Sequence, residues 1–312
     1  MEKRILGLHH ITAIAGDAQR NYDFYTKVLG LRMVKRTVNF DDPQTYHFYF
    51  GDEVGTPGNI LTFFPWPRVK QGRPGAGMAT EIGYTVPESS LPFWKERFER
   101  LAVTHGEIRE RFGEKYLPFR DPDGLDLALV VPKKTDHRKP WTTEETGEEV
   151  ALRGFHSVTL TLNQIRPTAA ILTDIFGYQL QEEEGSRYRY GTDSVENAAI
   201  VDLLELSTAA PGVNAGGTNH HVAFRVKDEE VLMAFREKIE AKGFQITPKI
   251  NRDYFFSLYF REPGGVLFEL ATDNPGFGID EPVEDLGGSL KLPERYEGAR
   301  KQIERLLPEL KL

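Results

Sequence analysis

The chain of 312 residues contains no cysteine, so a disulfide framework and thiolate metal sites are excluded. Any bound metal must use imidazole, carboxylate or water. No stretch approaches about 18 consecutive apolar residues, and Met1-Glu2-Lys3-Arg4 leads into a strand-like segment rather than an apolar signal core, so neither membrane insertion nor secretion is expected. A basic face is also missing. The formal net charge is −8, from 39 Lys and Arg against 47 Asp and Glu, with the two signs interleaved along the chain, which gives a nucleic-acid partner no electrostatic support. A cytoplasmic protein is the expectation, with homo-oligomer formation left open.

With 39% hydrophobic and 28% charged residues, 29 Gly and 19 Pro, the composition is that of a globular protein able to bury its own core. The length allows about two domains. One pattern recurs along them. Residues 7–14, GLHHITAI, read as a strand, and 17–30, DAQRNYDFYTKVLG, as an amphipathic helix stopped by Gly30. Three strand-like runs follow. Residues 154–177, GFHSVTLTLNQIRPTAAILTDIFG, repeat the strand and helix: placing Thr159 on Thr12 puts Gly177 on Gly30 without a gap. Two further copies begin near Glu81 and at Asn219, and end in the related hairpins RDPDGLDLAL and REPGGVLFEL. The chain therefore reads as α+β, with four βαβββ modules forming two open barrel-like domains. Modules one and two span 1–132, a polar linker 133–151, modules three and four 152–272, and a C-terminal extension 273–312. After Glu269 the extension reads as loop and closes with a helix over ERYEGARKQIERLL. Packing is the plainer reading of this tail, and a lid over the site the other.

Eight histidines are present, and two adjacent pairs, His9-His10 and His220-His221, open modules one and four. Adjacent strand residues point to opposite faces, so one ligand per pair is expected. Glu269 stands between Phe268 and Leu270 in an otherwise apolar strand, where a buried carboxylate needs a cation. The matching place in module two is Ala128. His156 also opens a module, but the gap-free alignment puts it on His9 and Ser157 on His10. An alternative site from modules three and four, with His156, Glu205, His221 and Glu269, stays open on this reading. His47, His105 and His137 are read as incidental.

The stretches LHHITAIAGDAQRNYDFYTKVLG, TYHFYFGDEVGTPGNILTFFP, RGFHSVT, HHVAF and NRDYFFSLYFREPGGVLFE resemble the vicinal-oxygen-chelate superfamily, also called the glyoxalase, bleomycin-resistance and dioxygenase superfamily. Within it they are most similar to the hydroquinone-type ring-cleaving dioxygenases, over nearly the whole chain. The resemblance implies that modules one and four share one barrel and modules two and three the other. It also implies metal ligation by His10, His221 and Glu269, and supporting roles for Thr12, Arg252 and Tyr259. Two imidazoles and one carboxylate leave about three positions open on a metal, the pattern of non-haem iron(II) oxygenases. The expectation is an extradiol-like dioxygenase using iron(II), with manganese(II) as the alternative metal and a small aromatic and dioxygen as partners. A glyoxalase-like lyase or isomerase, or a metal-free binding or resistance protein of the same fold, are the other readings.

Overall fold

Each of the four repeats folds as a strand, a helix and three more strands in the computed structural model, which describes residues 3–312. Met1 and Glu2 lie outside the described residues. The first repeat holds β1 (Leu8–Ala15), α1 (Ala18–Asp23), β2 (Arg32–Asn39), β3 (Asp42–Gly51) and β4 (Ile60–Pro65). The second holds β5 (Met78–Thr85), α2 (Leu91–Arg100), β6 (Arg109–Arg111), β7 (Glu114–Arg120) and β8 (Asp126–Val130). The third holds β9 (Gly154–Leu162), α3 (Arg166–Ala170), β10 (Gln179–Glu184), β11 (Arg187–Gly191) and β12 (Ile200–Glu205). The fourth holds β13 (Thr218–Val226), α4 (Glu229–Ala241), β14 (Ile250–Asn251), β15 (Phe255–Arg261) and β16 (Leu267–Pro275). Residues 133–151 carry neither helix nor strand.

Local chemistry accounts for the helices. The side chains of Asp17 and Asp228 cap α1 and α4 by accepting from the amides of Arg20 and Val231, which satisfies donors a helix start leaves free. Leu232, Phe235 and Ile239 are the buried residues of α4, spaced to form one apolar stripe. The helix expected over 17–30 is α-helical only in its first half. Phe24–Val28 form a wider π turn, as do Ile171–Ile175 at the matching place of the third repeat. Gly30 and Gly177 end both segments at φ of 71° and 78°, a conformation glycine adopts without steric cost.

The strands assemble into two eight-stranded sheets, in the orders β14-β15-β16-β13-β1-β4-β3-β2 and β10-β11-β12-β9-β5-β8-β7-β6. Repeats one and four thus share one sheet, and repeats two and three the other. At the centre of each, two first strands pair antiparallel, β1 with β13 and β5 with β9. Each first strand also runs parallel to the last strand of its own repeat, a pairing that requires a crossover connection.

The two related hairpins tie the sheets together. Asp121 accepts from the amides of Asp123 and Leu125 at 2.9 and 2.8 Å, and Glu262 accepts from those of Gly264 and Val266, both at 2.8 Å. Each carboxylate also takes a hydroxyl from a helical segment belonging to the other sheet: Tyr25 donates to Asp121 at 3.1 Å and Thr168 to Glu262 at 2.6 Å.

The tail differs from its expected form. β16 continues to Pro275, so the residues directly after Glu269 are strand rather than loop. Beyond it the chain folds back along β2, where the buried Lys35 ammonium lies 2.5 Å from both Asp280 and Glu281. The closing helix is split into α5 (Glu294–Glu297) and α6 (Arg300–Leu306), and Ile303 and Leu307 enter the core. Among the described residues no helix is long and apolar enough to cross a membrane.

Candidate metal centre

Both histidine pairs straddle β-bulges. Along the β1–β13 pairing Leu8 faces Phe224 and His10 faces Ala223, so His9 is an extra residue; Thr12 faces His221 and Ala13 faces Asn219, so His220 is another. A bulge bends its strand and re-aims side chains. This corrects the expectation that the two rings of each pair point to opposite faces. Instead the rings of a pair meet edge to face with centroids 5.1 Å apart. Their Nδ1 atoms approach to 2.9 Å in His9-His10 and to 2.8 Å in His220-His221.

The contacts of His9 assign the proton on His10. His9 Nε2 lies 3.1 Å from the carbonyl oxygen of Thr272, which can only accept, so His9 donates there. Burial and the neighbouring His10 hold His9 well below the usual imidazole pKa, so it is neutral and its Nδ1 carries a lone pair. His10 Nδ1 must then donate to it, so that neutral His10, the form that binds a metal, carries its lone pair on Nε2. A metal-binding imidazole is oriented in this way, with one nitrogen tied to a protein acceptor and the other free. At the second pair, burial pulls His220 down to about 3, and burial likewise lowers His221 despite the nearby charge of Glu269.

Nε2 of His10, Nε2 of His221 and the carboxylate of Glu269 converge. His10 and His221 lie 3.1 and 2.8 Å from Oε2 of Glu269, and their Nε2 atoms are 3.4 Å apart. Ligands about 2.1 Å from a metal and at right angles stand about 3 Å from one another. All three residues are buried, and no other cluster of metal-ligand type is found among the described residues. Oε2 lies within reach of both Nε2 atoms but in no well-aligned hydrogen bond, while Ser257 donates to Oε1. Burial alone would raise the Glu269 pKa, but the facing imidazoles hold it well below the carboxylate range. A fully buried carboxylate facing two imidazole nitrogens at the spacing of ligands around one ion fits a divalent cation.

A cavity of about 370 Å³ opens on this cluster. Tyr259 stands directly across from Glu269 in the β15–β16 register, its ring 5.6 Å from that of His221. Arg252, expected in a loop, follows β14 and donates through Nε to the Tyr259 hydroxyl at 3.3 Å. Thr12 lines the cavity and shares a hydrogen bond with Thr62, 2.8 Å between hydroxyls. The structure corrects the reading of His47 as incidental. His47 lies on the cavity wall, with Nε2 2.9 Å from the Thr62 hydroxyl and Nδ1 2.9 Å from that of Tyr49. Phe40, Phe64 and Trp66 supply aromatic walls, and the tail reaches Phe40 through the Tyr296 hydroxyl, which donates to its carbonyl at 2.8 Å.

The alternative site from modules three and four does not form. His156 lies in the other sheet, 3.2 Å from Glu114. Glu205 accepts from the Ile165 amide at 3.1 Å and pairs in register with Leu162. His156 is the extra residue of its own bulge, just as His9 is, because Gly83 faces Ser157 and Tyr84 faces Phe155. His105 sits beside its own strand connection, with Nδ1 2.9 Å from the Gly106 carbonyl.

A model of the Glyoxalase/Bleomycin resistance protein/Dioxygenase superfamily matches residues 7–129 and 154–270. The chain is 45% identical to MhqO of Bacillus subtilis (strain 168), provisionally named a ring-cleaving dioxygenase, over 99% of this chain and 98% of that one. It is 37% identical to chlorohydroquinone/hydroquinone 1,2-dioxygenase of Sphingobium indicum, over 98% and 97%. A crystal structure from Bacillus subtilis, provisionally titled a dioxygenase, superposes with a TM-score of 0.95 at 43% identity and 99% coverage of both chains. Glyoxalase I from Zea mays shares the fold, with a TM-score of 0.63 at 15% identity over 86% of this chain and 92% of that one. The chain belongs to the Glyoxalase/Bleomycin resistance protein/Dioxygenase superfamily.

Proposed function

We propose that this protein is an iron(II)-dependent, extradiol-like dioxygenase that opens the ring of a hydroquinone-type aromatic with dioxygen. The observation that carries the reading is the buried carboxylate of Glu269 facing two imidazole nitrogens, in a chain whose near full-length relatives are named for ring cleavage. Iron(II), which His10, His221 and Glu269 would hold, would supply a redox-active Lewis acid for substrate and dioxygen. Manganese(II) suits the same donors and is the second metal to test.

The remaining groups bind the substrate and handle its protons. A para-dihydroxy ring cannot chelate through both oxygens, so protein groups must hold the far hydroxyl. Burial first, and then the charge of Glu269, push the Tyr259 pKa up, so Tyr259 remains a phenol and can donate. Arg252 donates to the same oxygen and orients the hydroxyl at the cavity wall. Across the cavity, the chain Tyr49, His47, Thr62, Thr12 fixes the Thr12 hydroxyl and offers a path for one proton. The aromatic walls exclude water from the ring.

A glyoxalase-like proton transfer would need a second carboxylate, but Glu269 is the one acid in the cluster among the described residues. A metal-free binding protein would leave Oε2 of Glu269 buried without a well-aligned hydrogen bond, a costly arrangement. Oxygen uptake by anaerobically prepared, iron-loaded protein tests the reading against a panel of hydroquinones and catechols. Uptake with a hydroquinone, in step with formation of a ring-opened unsaturated acid, is expected. Fully iron-loaded protein that consumes no oxygen with any of them would contradict it.

A further inference from the structure

The second sheet repeats the register of the first without its metal ligands. Thr159 faces Glu81 as Thr12 faces His221, and Ser157 faces Gly83 as His10 faces Ala223. Ala128 stands beside Gly83 as Glu269 stands beside Ala223. The positions of His10, His221 and Glu269 are thus taken by Ser157, Glu81 and Ala128, which cannot hold a cation in the same way. The chemistry of this face is instead that of arginine. Arg189 faces Asp202 as Tyr49 faces Thr62, and two residues earlier on the same face Arg187 takes the place of His47.

Arg187 is the exception in an otherwise paired network. Arg111 bonds Glu81 at 2.7 Å, and Arg189 bonds Asp202 at 2.8 Å and Glu114 at 2.5 Å. Arg187 joins no such ion pair among the described residues; its guanidinium makes one hydrogen bond, to the Thr159 hydroxyl at 3.3 Å. It has five N–H donors to satisfy. Burial, and next the like charge of Arg111, lower its pKa against the opposing charges of Glu81 and Asp202, and those two acids are bonded to Arg111 and Arg189 rather than to Arg187. Arg187 lines a cavity of about 620 Å³, within the range of small-ligand sites, roughly 300–1,000 Å³. Both acids that face this cavity, Glu81 and Asp126, are already engaged, by Arg111 and Arg120. Phe119, Leu127 and Leu204 give the cavity apolar wall, and Arg73, Arg120, His105 and the Thr161 hydroxyl also line it.

We infer that this cleft is a second ligand site, separate from the metal centre, which takes a carboxylate carried on a flat apolar body and holds it through Arg187. A guanidinium fork matches the two oxygens of a carboxylate, and the apolar walls match an aromatic or unsaturated acid rather than a bare inorganic anion. The ring-opened acids expected of the metal centre belong to the same chemical class.

Benzoate, with neutral benzamide of the same shape as control, tests this by calorimetric titration of metal-loaded and chelator-treated protein. Saturable benzoate binding is expected in both states, with benzamide weaker by about tenfold or more. Arg187→Gln should weaken benzoate by a similar factor while keeping the metal content of the wild type, and Arg187→Lys should weaken it less, since it keeps the charge but loses the fork. Benzamide binding as tightly as benzoate, unchanged benzoate affinity in Arg187→Gln, or no saturable binding to the wild type would each overturn the inference. The benzamide comparison needs no variant and decides even if Arg187→Gln folds poorly.

Discussion

Nε2 of His10 and Nε2 of His221 lie 3.4 Å apart although 211 positions separate them in the chain. The antiparallel pairing of β1 with β13 brings the two together, and β16, parallel to β13, adds Glu269. The site is therefore a product of the first and fourth repeats sharing a sheet.

Metal should stabilise the fold through this cluster. A divalent ion at about 100 times its Kd adds about 2.7 kcal/mol if it binds only the folded state, visible as a rise in thermal midpoint. Glu269→Ala should show no such rise and no bound metal, whereas His156→Ala should bind metal as the wild type does. Thermal melts with and without iron(II) or manganese(II), taken with metal analysis, check both variants.

His9 should matter to a metal it does not touch. It accepts from Nδ1 of His10 and is itself anchored on Thr272, so His9→Phe removes the group that sets the His10 tautomer. Loss of such a partner typically weakens metal binding about 10- to 100-fold. A competition titration with a chelator reads the change; equal affinity in variant and wild type would remove His9 from the account.

Tyr259→Phe keeps the ring beside His221 and removes the hydroxyl that Arg252 orients. Metal content should stay at the wild-type level while kcat falls by about 10²- to 10⁴-fold, the usual contribution of a positioned proton donor. Steady-state oxygen uptake measures this. A change in KM alone would reduce Tyr259 to a binding contact.

The stability of the fold should depend on pH through Asp121. Burial pushes its carboxyl up to about 7 from the ordinary 3.8, against hydrogen bonds from the Leu125 and Asp123 amides and Tyr25. A folded-state pKa above the unfolded value favours the fold while the group is protonated, so this contribution is full below about pH 4 and is lost as pH rises through about 7. Asp121→Asn keeps an acceptor for the two amides and cannot ionise. Its thermal midpoint, taken relative to that of the wild type, should therefore rise between about pH 4 and pH 7; a flat difference would contradict the assignment.

Much of the architecture is legible in the chain because it is local and repeated. Gly30 with Gly177, the two histidine pairs, and the RDPDG and REPGG turns mark the four repeats before any contact is known. Their alignment already puts His156 on His9 and Ala128 on Glu269, as the strand registers do. What is not legible depends on partner strands. A bulge exists only relative to the strand it faces, so nothing in the string HH says that His9 bends back to support His10. His47 likewise reads as one more strand histidine until β3 pairs with β4 and sets it beside Thr62. The π turns at Phe24–Val28 and Ile171–Ile175 carry an ordinary amphipathic helical pattern, so periodicity cannot distinguish them from α-helix.

The proposed function requires one iron held by residues from opposite ends of the chain. Anomalous diffraction at the iron edge, from crystals of protein loaded with iron(II) under anaerobic conditions, tests it most directly. A single peak bonded to Nε2 of His10, Nε2 of His221 and the carboxylate of Glu269 is predicted. A peak beside His156 or Glu205, or none in protein shown to carry iron, would contradict the account.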